Sequence, residues 1–180
     1  MEYSVKVGYL INVYLPSLSF VRRELLAHEA AGLEVQRYVL RKYVGPLPDE
    51  QDQREHALSH EVLGVGAIGL GLALLATFIT SPGRFLSTLK VSIREGRRSD
   101  RGILRHLICF AEACVLARWL KQDGVTHLHA HFGTNTATVA CMTSSLSGIP
   151  YSFTVHGPEE FDRAPGLGLA HKIARAGFVV

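Results

Sequence analysis

The way the chain begins constrains it most. Val5 to Ile11 is a run of β-branched and apolar residues, the pattern of a buried strand. Pro16, in the turn Tyr14-Leu15-Pro16-Ser17, ends that strand, and Ser17 or Ser19 can cap a helix. The helix carries Phe20, Val21, Leu25, Leu26 and Ala30 at helical spacing and stops at Gly32. Val35, Tyr38, Val39 and Leu40 then read as a second strand. Two strands joined through a helix in under forty residues lie parallel, because an antiparallel pair needs only a turn. The expected class is α/β: a Rossmann-like parallel sheet flanked by helices.

From Gly45 to Gln122 no convincing strand is visible. Pro46 and Pro48 mark a loop, and three helical stretches follow, at about Glu55–Ile79, Arg84–Arg94 and Ile103–Gln122. A helical insertion is therefore expected around residues 55–122. Its last helix places Leu104, Leu107, Ile108, Ala111, Val115, Leu116 and Leu120 on one face and closes at Gly124. Strand and helix then alternate again: Val125–Phe132, Asn135–Leu146 up to Gly148, Tyr151–Val155, and a helix near Leu167–Ala176. Gly177 to Val180 read as a strand only begun, so residues 1–180 are expected to be one domain of a longer chain.

Composition excludes several classes. With 47% hydrophobic residues the chain can build a core, and 19 basic against 16 acidic side chains is too even for a nucleic-acid binder. Cys109, Cys114 and Cys141 form no C-x-x-C, which removes a disulfide scaffold or zinc ribbon and fits a reducing compartment. Met1 to Leu10 has no signal-peptide pattern, so a cytoplasmic location is expected.

Charge is unevenly spread. Five carboxylates against Arg54 lie between Asp49 and Glu61, and seven basic residues against Glu95 and Asp100 lie between Arg84 and Arg105. Val62 to Thr80 separates them, nineteen residues without a charge. Three readings are open: a membrane span, a buried core helix, or a face resting on lipid. A span would separate the first βαβ unit from strands it must pair with, and four glycines (Gly64, Gly66, Gly69, Gly71) dilute its apolarity. The neighbouring basic block would attract an anionic membrane surface through Val62–Arg105.

Three places suit chemistry. His127, His129 and His131 alternate along a strand, so their imidazoles share a face; the sequence puts no carboxylate beside them, since Asp123 precedes the strand. His156 follows a strand and precedes Gly157-Pro158 and the acids Glu159, Glu160 and Asp162. That is where open α/β sheets bind ligands, and the acids also suit a helix start. The first βα turn, Asn12 to Phe20, contains no glycine, which argues against NAD or FAD, although Ser17 and Ser19 can meet a polar ligand. Gly133-Thr134-Asn135-Thr136 opens a helix after the histidine strand in the same manner. No G-x-S-x-G or cysteine elbow supplies a nucleophile.

Taken together these landmarks resemble the N-terminal half of a GT-B glycosyltransferase of the large retaining family 4, of the exopolysaccharide and colanic-acid type. The resemblance runs from Gly8-Tyr9-Leu10 through Tyr14-Leu15-Pro16-Ser17 and Phe20-Val21-Arg22-Arg23-Glu24 to Gly32-Leu33-Glu34-Val35. It continues at His127-Leu128-His129-Ala130-His131-Phe132-Gly133 and Pro150-Tyr151-Ser152-Phe153-Thr154-Val155-His156-Gly157. It implies an acceptor-side domain facing a donor-binding domain that carries an Arg/Lys pair and an E-x-seven-E motif, neither of which lies within these residues. It further implies a nucleotide-sugar donor held mainly by that other domain, a lipid-linked or oligosaccharide acceptor, and no metal or other cofactor. His156 matches the cleft histidine near the transferred sugar. Asn12, Ser17, Ser19, His131, Gly133, Gly157 and Glu160 are the expected substrate contacts, and the domain alone is expected to be inactive. The location implied is cytoplasmic, peripheral on the inner face of the membrane.

Two rival functions stand beside this one. The first is a metal-dependent hydrolase using His127, His129 and His131. The second is a non-catalytic sugar-binding module resting on a membrane.

Overall fold

The computed structural model describes residues 5–14 and 18–180; Ser17, one of the expected ligand contacts, lies outside them. The chain runs β1 (Lys6–Val13), α1 (Ser19–Ala30), β2 (Glu34–Arg41), α2 (Glu50–Leu58) and β3 (His60–Glu61). It continues through α3 (Gly66–Thr80), α4 (Pro82–Arg98) and α5 (Gly102–Gln122) to β4 (His127–His131) and α6 (Asn135–Ser147). After β5 (Tyr151–Thr154) come three short helices, α7 (Pro158–Asp162), α8 (Ala164–Leu167) and α9 (Leu169–Ile173). The strands form one sheet in the order β3-β2-β1-β4-β5, and every pairing is parallel. This is the expected α/β fold with a Rossmann-like sheet.

Period-two burial divides the sheet into two faces. Leu10, Tyr38, Leu40, Leu128, Ala130 and Phe153 face α5 and α6, where Phe110, Ala113, Cys114, Leu116, Ala137 and Ala140 complete the larger core. Burying each large side chain there contributes roughly 1.5–3 kcal/mol. On the opposite face Tyr9, Ile11 and Val39 pack with Tyr14 and with Val21 and Leu25 of α1. His127, His129 and His131 alternate with Leu128 and Ala130, which puts the imidazoles on the α1 face.

Four expectations about the middle and end of the chain need correction. The stretch read as one helix from Glu55 to Ile79 is α2, the two-residue strand β3, a 3-10 turn at Leu63–Val65, and α3. β3 exists because His60 and Glu61 pair with Tyr38 and Val39, and two residues carry no periodicity of their own. On α5, Leu104 is 74% exposed and Leu107 and Ile108 are also at the surface, whereas His106, Cys109, Phe110 and Glu112 are buried. The helix is apolar nearly all round, so composition could not say which side the neighbours would cover. The single helix expected over Leu167–Ala176 is broken at Gly168, whose φ of +62° is left-handed.

The fourth concerns α3. The buried-core reading fails: among its residues only Ala73 and Thr77 are buried, and Ile68, Leu72, Leu75, Phe78 and Ile79 are exposed. By length and composition alone Leu63–Thr80 could cross a membrane, with mean hydropathy 2.1, and it is the one such helix among the described residues. That does not make it a span.

Candidate functional site

The sheet order reverses beside β1: β2 lies on one side of it and β4, reached later, on the other. Open α/β sheets bind ligands outside the carboxyl ends of their strands at such a reversal. Asn12 is exposed near that end of β1, His131 is the last residue of β4, and His156 follows β5 by two positions. One edge of the fold therefore gathers residues widely separated in sequence.

At its centre His131 Nδ1 lies 2.9 Å from His156 Nε2, the two rings meeting edge to edge with centroids 5.1 Å apart and planes 28° from parallel. His131 is fully buried and His156 is exposed. Phe20, at 4.8 Å, and Phe132, at 4.6 Å, both lie tilted against the His156 ring. Burial pushes the His131 imidazole down to about 3 and His129 down to about 4, reinforced by neighbouring imidazoles. Partial burial also lowers His156, against the opposing pull of Glu160 and Glu24. All three rings are neutral at pH 7, so each presents one N–H and one lone pair.

Glu160 ties the two strand ends together. Its Oε2 accepts N–H bonds from Gly133 at 3.1 Å and from His156 at 3.2 Å, and the residue is buried at the start of α7. Gly133 is needed for this closeness: a Cβ there would meet Leu169 Cδ1 at 2.9 Å and Glu160 Oε2 at 3.4 Å. Lys172, buried on α9, donates to the carbonyls of Gly133 at 2.8 Å and Thr134 at 3.0 Å. Burial brings its ammonium down to about 8. Phe132 has φ +73°, left-handed for a bulky residue, at a cost of about 1–3 kcal/mol. Its N–H donates to Thr154 O and its carbonyl accepts from Thr136 Oγ1, which holds the conformation.

The expected contacts thus divide. His156, His131, Gly133 and Glu160 form one cluster. Asn12 lies at the carboxyl end of β1 and Ser19 at the start of α1. Ser19 does not cap: Leu18 occupies that position, and no side chain bonds the helix end. Gly157 is extended backbone that any residue adopts, and a Cβ there would meet only the flexible Glu159 carboxylate. Glu159 and Asp162 are exposed and stand apart.

The expectation that no carboxylate stands beside the strand histidines is overturned. Glu24 Oε2 is 3.8 Å from His131 Nε2, and Glu24 Oε1 is 4.0 Å from His129 Nε2. Phe20, Glu24 and His28 recur every fourth residue on α1, the spacing that marks one helix face, so this stripe was available as a signal. Lys172 had none. His127 points the same way but bonds Ser152 Oγ at 2.7 Å and stacks on Phe178.

No protein-family model, no curated protein and no solved structure matches the chain.

The chemistry on offer is polar recognition with aromatic walls. Burial raises the thiols of Cys109 to about 12 and Cys114 to about 11, so neither is a nucleophile at neutral pH. An exposed neutral imidazole with phenyl rings beside it suits a ligand that combines hydroxyls with C–H groups.

Proposed function

We propose that this chain is the N-terminal, acceptor-side domain of a GT-B, family 4 retaining glycosyltransferase that builds surface polysaccharide. It would act as part of a longer chain, moving a sugar from a nucleotide-sugar donor to a lipid-linked or oligosaccharide acceptor. The observation that carries the reading is His156: an exposed imidazole beside the sheet reversal, its Nε2 engaged by His131 and the tilted rings of Phe20 and Phe132 beside it. With Nε2 occupied, Nδ1 is the atom left to hydrogen-bond a sugar hydroxyl. Asn12 and Ser19 line the approach from β1 and α1. Charge on the departing diphosphate would be met by cationic groups of the facing domain, positioned before the reaction begins.

Membrane contact fits the same reading. The exposed apolar side of α3 adjoins α4 through Phe78 and Phe85, 5.4 Å apart, and α4 exposes Leu86, Lys90, Arg94 and Arg97 along one stripe. An apolar face bordered by cations suits an anionic lipid surface.

The deciding experiment replaces His156 by alanine in the full-length chain and follows nucleoside diphosphate released from a panel of nucleotide sugars with acceptor present. Release should fall about 100-fold, the size of losing one group aimed at the transition state. Activity within a few-fold of wild type would overturn the assignment.

A further inference from the structure

Behind His156, in its bonding partner His131, one buried atom has no partner. His131 Nε2 makes no hydrogen bond although it is shut off from solvent, and an unsatisfied buried polar atom costs roughly 1–3 kcal/mol. It points to Glu24, whose carboxylate also approaches His129 Nε2. We infer that Glu24, His129 and His131 form a binding site for a divalent transition cation, zinc foremost.

The geometry argues for ligation in three ways. First, the donor atoms of the three residues all lie within 4.8 Å of one another. Around tetrahedral zinc, with bonds near 2.0–2.1 Å, ligand atoms stand ~3.4 Å apart, so the donors need only draw in. Glu24, half-exposed on α1, is the least confined of the three side chains. Second, both imidazoles are gripped from behind through Nδ1: His131 by His156 at 2.9 Å, His129 by Ser152 Oγ at 2.8 Å. This turns both Nε2 atoms toward the same point, and metal-bound histidines are oriented in this manner. Third, the carboxylate is itself held, because the Tyr9 hydroxyl donates to Glu24 Oε1 at 3.0 Å. Thr154 Oγ1, 3.1 Å from His129 Nε2, is the one group that must rotate aside.

Two imidazoles and one carboxylate select a borderline cation over magnesium or calcium, which prefer oxygen. A bound cation would pin α1 to the end of β4. It would also place the His131 proton on Nδ1, to be donated to His156 Nε2, leaving the His156 proton on Nδ1.

The test uses tag-free protein stripped by a chelator, titrated with Zn²⁺ by calorimetry and with Co²⁺ by visible absorption. One equivalent should bind, and Glu24→Gln and His131→Ala should each weaken binding at least tenfold. His127→Ala, on the same face but outside the cluster, should bind as wild type does. Glu24→Gln leaves the buried core intact, so it decides the matter if His131→Ala fails to fold. No saturable uptake, an unchanged affinity in Glu24→Gln, or a loss in His127→Ala would overturn the site. His156 is not a ligand, so the metal titration and the sugar-transfer test fail independently.

Discussion

Glu160 on α7 accepts the backbone N–H of His156 and that of Gly133 on the same carboxylate oxygen, 3.2 and 3.1 Å away. One buried side chain thereby ties the segment after β4 to the segment after β5, beside the hydrogen bond between His131 and His156. The ladder runs to His131 and Thr154 at the strand ends, and Glu160 adds the link just beyond them, between Gly133 and His156.

Glu160→Ala should therefore destabilise the fold by about 1–3 kcal/mol, since it leaves the buried Gly133 N–H and the part-buried His156 N–H without their charged acceptor. Urea unfolding measures this. A change under 0.5 kcal/mol would show that the strand ends hold their spacing without it.

Lys172 makes stability depend on alkaline pH. Its folded pKa, about 8, lies below the ordinary lysine value, so above pH 8 the unfolded chain binds more protons and stability rises with pH. The contribution is complete above the unfolded pKa and is lost as pH falls through about 8. Between pH 7 and 9.5 wild type should gain on the order of 2 kcal/mol relative to Lys172→Met. Parallel curves for the two proteins would refute the shift.

Arg37 and Glu55 form a buried pair joining β2 to α2, with Nε to Oε2 at 2.5 Å and a second bond at 3.1 Å. Glu29 also reaches Arg37, at 2.8 Å, from the half-buried end of α1. Glu55→Ala should cost about 3 kcal/mol, because Glu29 alone does not replace the bidentate partner of a buried guanidinium. Thermal melts read the loss, and a wild-type melting temperature would contradict it.

Charged residues on α3 should separate lipid contact from folding. Ile68, 82% exposed, and Leu72 lie at the surface, so Ile68→Glu with Leu72→Glu should change stability by less than about 0.5 kcal/mol each. Sedimentation with vesicles containing phosphatidylglycerol should fall at least fivefold in that variant and fall with added salt in wild type. Equal sedimentation of variant and wild type would remove α3 from any membrane contact.

Much of the architecture was readable in one dimension. The strand pattern of Val5–Ile11, the stop at Gly32 and the alternation of His127, Leu128, His129, Ala130 and His131 are local properties. They predict elements and faces without knowledge of neighbours. His156 and Glu160 were also legible as candidates, because a histidine after a strand and acids at a helix start are positional signals. What escaped was pairwise. β3 owes its existence to β2, the exposed side of α5 to which helices pack on it, and the meeting of Glu24 with His129 and His131 to where α1 crosses the sheet. Each is a contact between segments far apart in sequence, and no window of residues encodes the distance between them.

Backbone stereochemistry and hydrophobic period act over a few residues, so composition and order alone were enough to specify parallel strands with imidazoles on one face. Burial and electrostatic environment exist only once the segments have packed. Packing turned three histidines of one strand into different things: His127 bonded to Ser152, His129 and His131 neutral and aimed at a carboxylate. It likewise left the most apolar helix of the chain on the outside, because the core was already filled by α5 and α6.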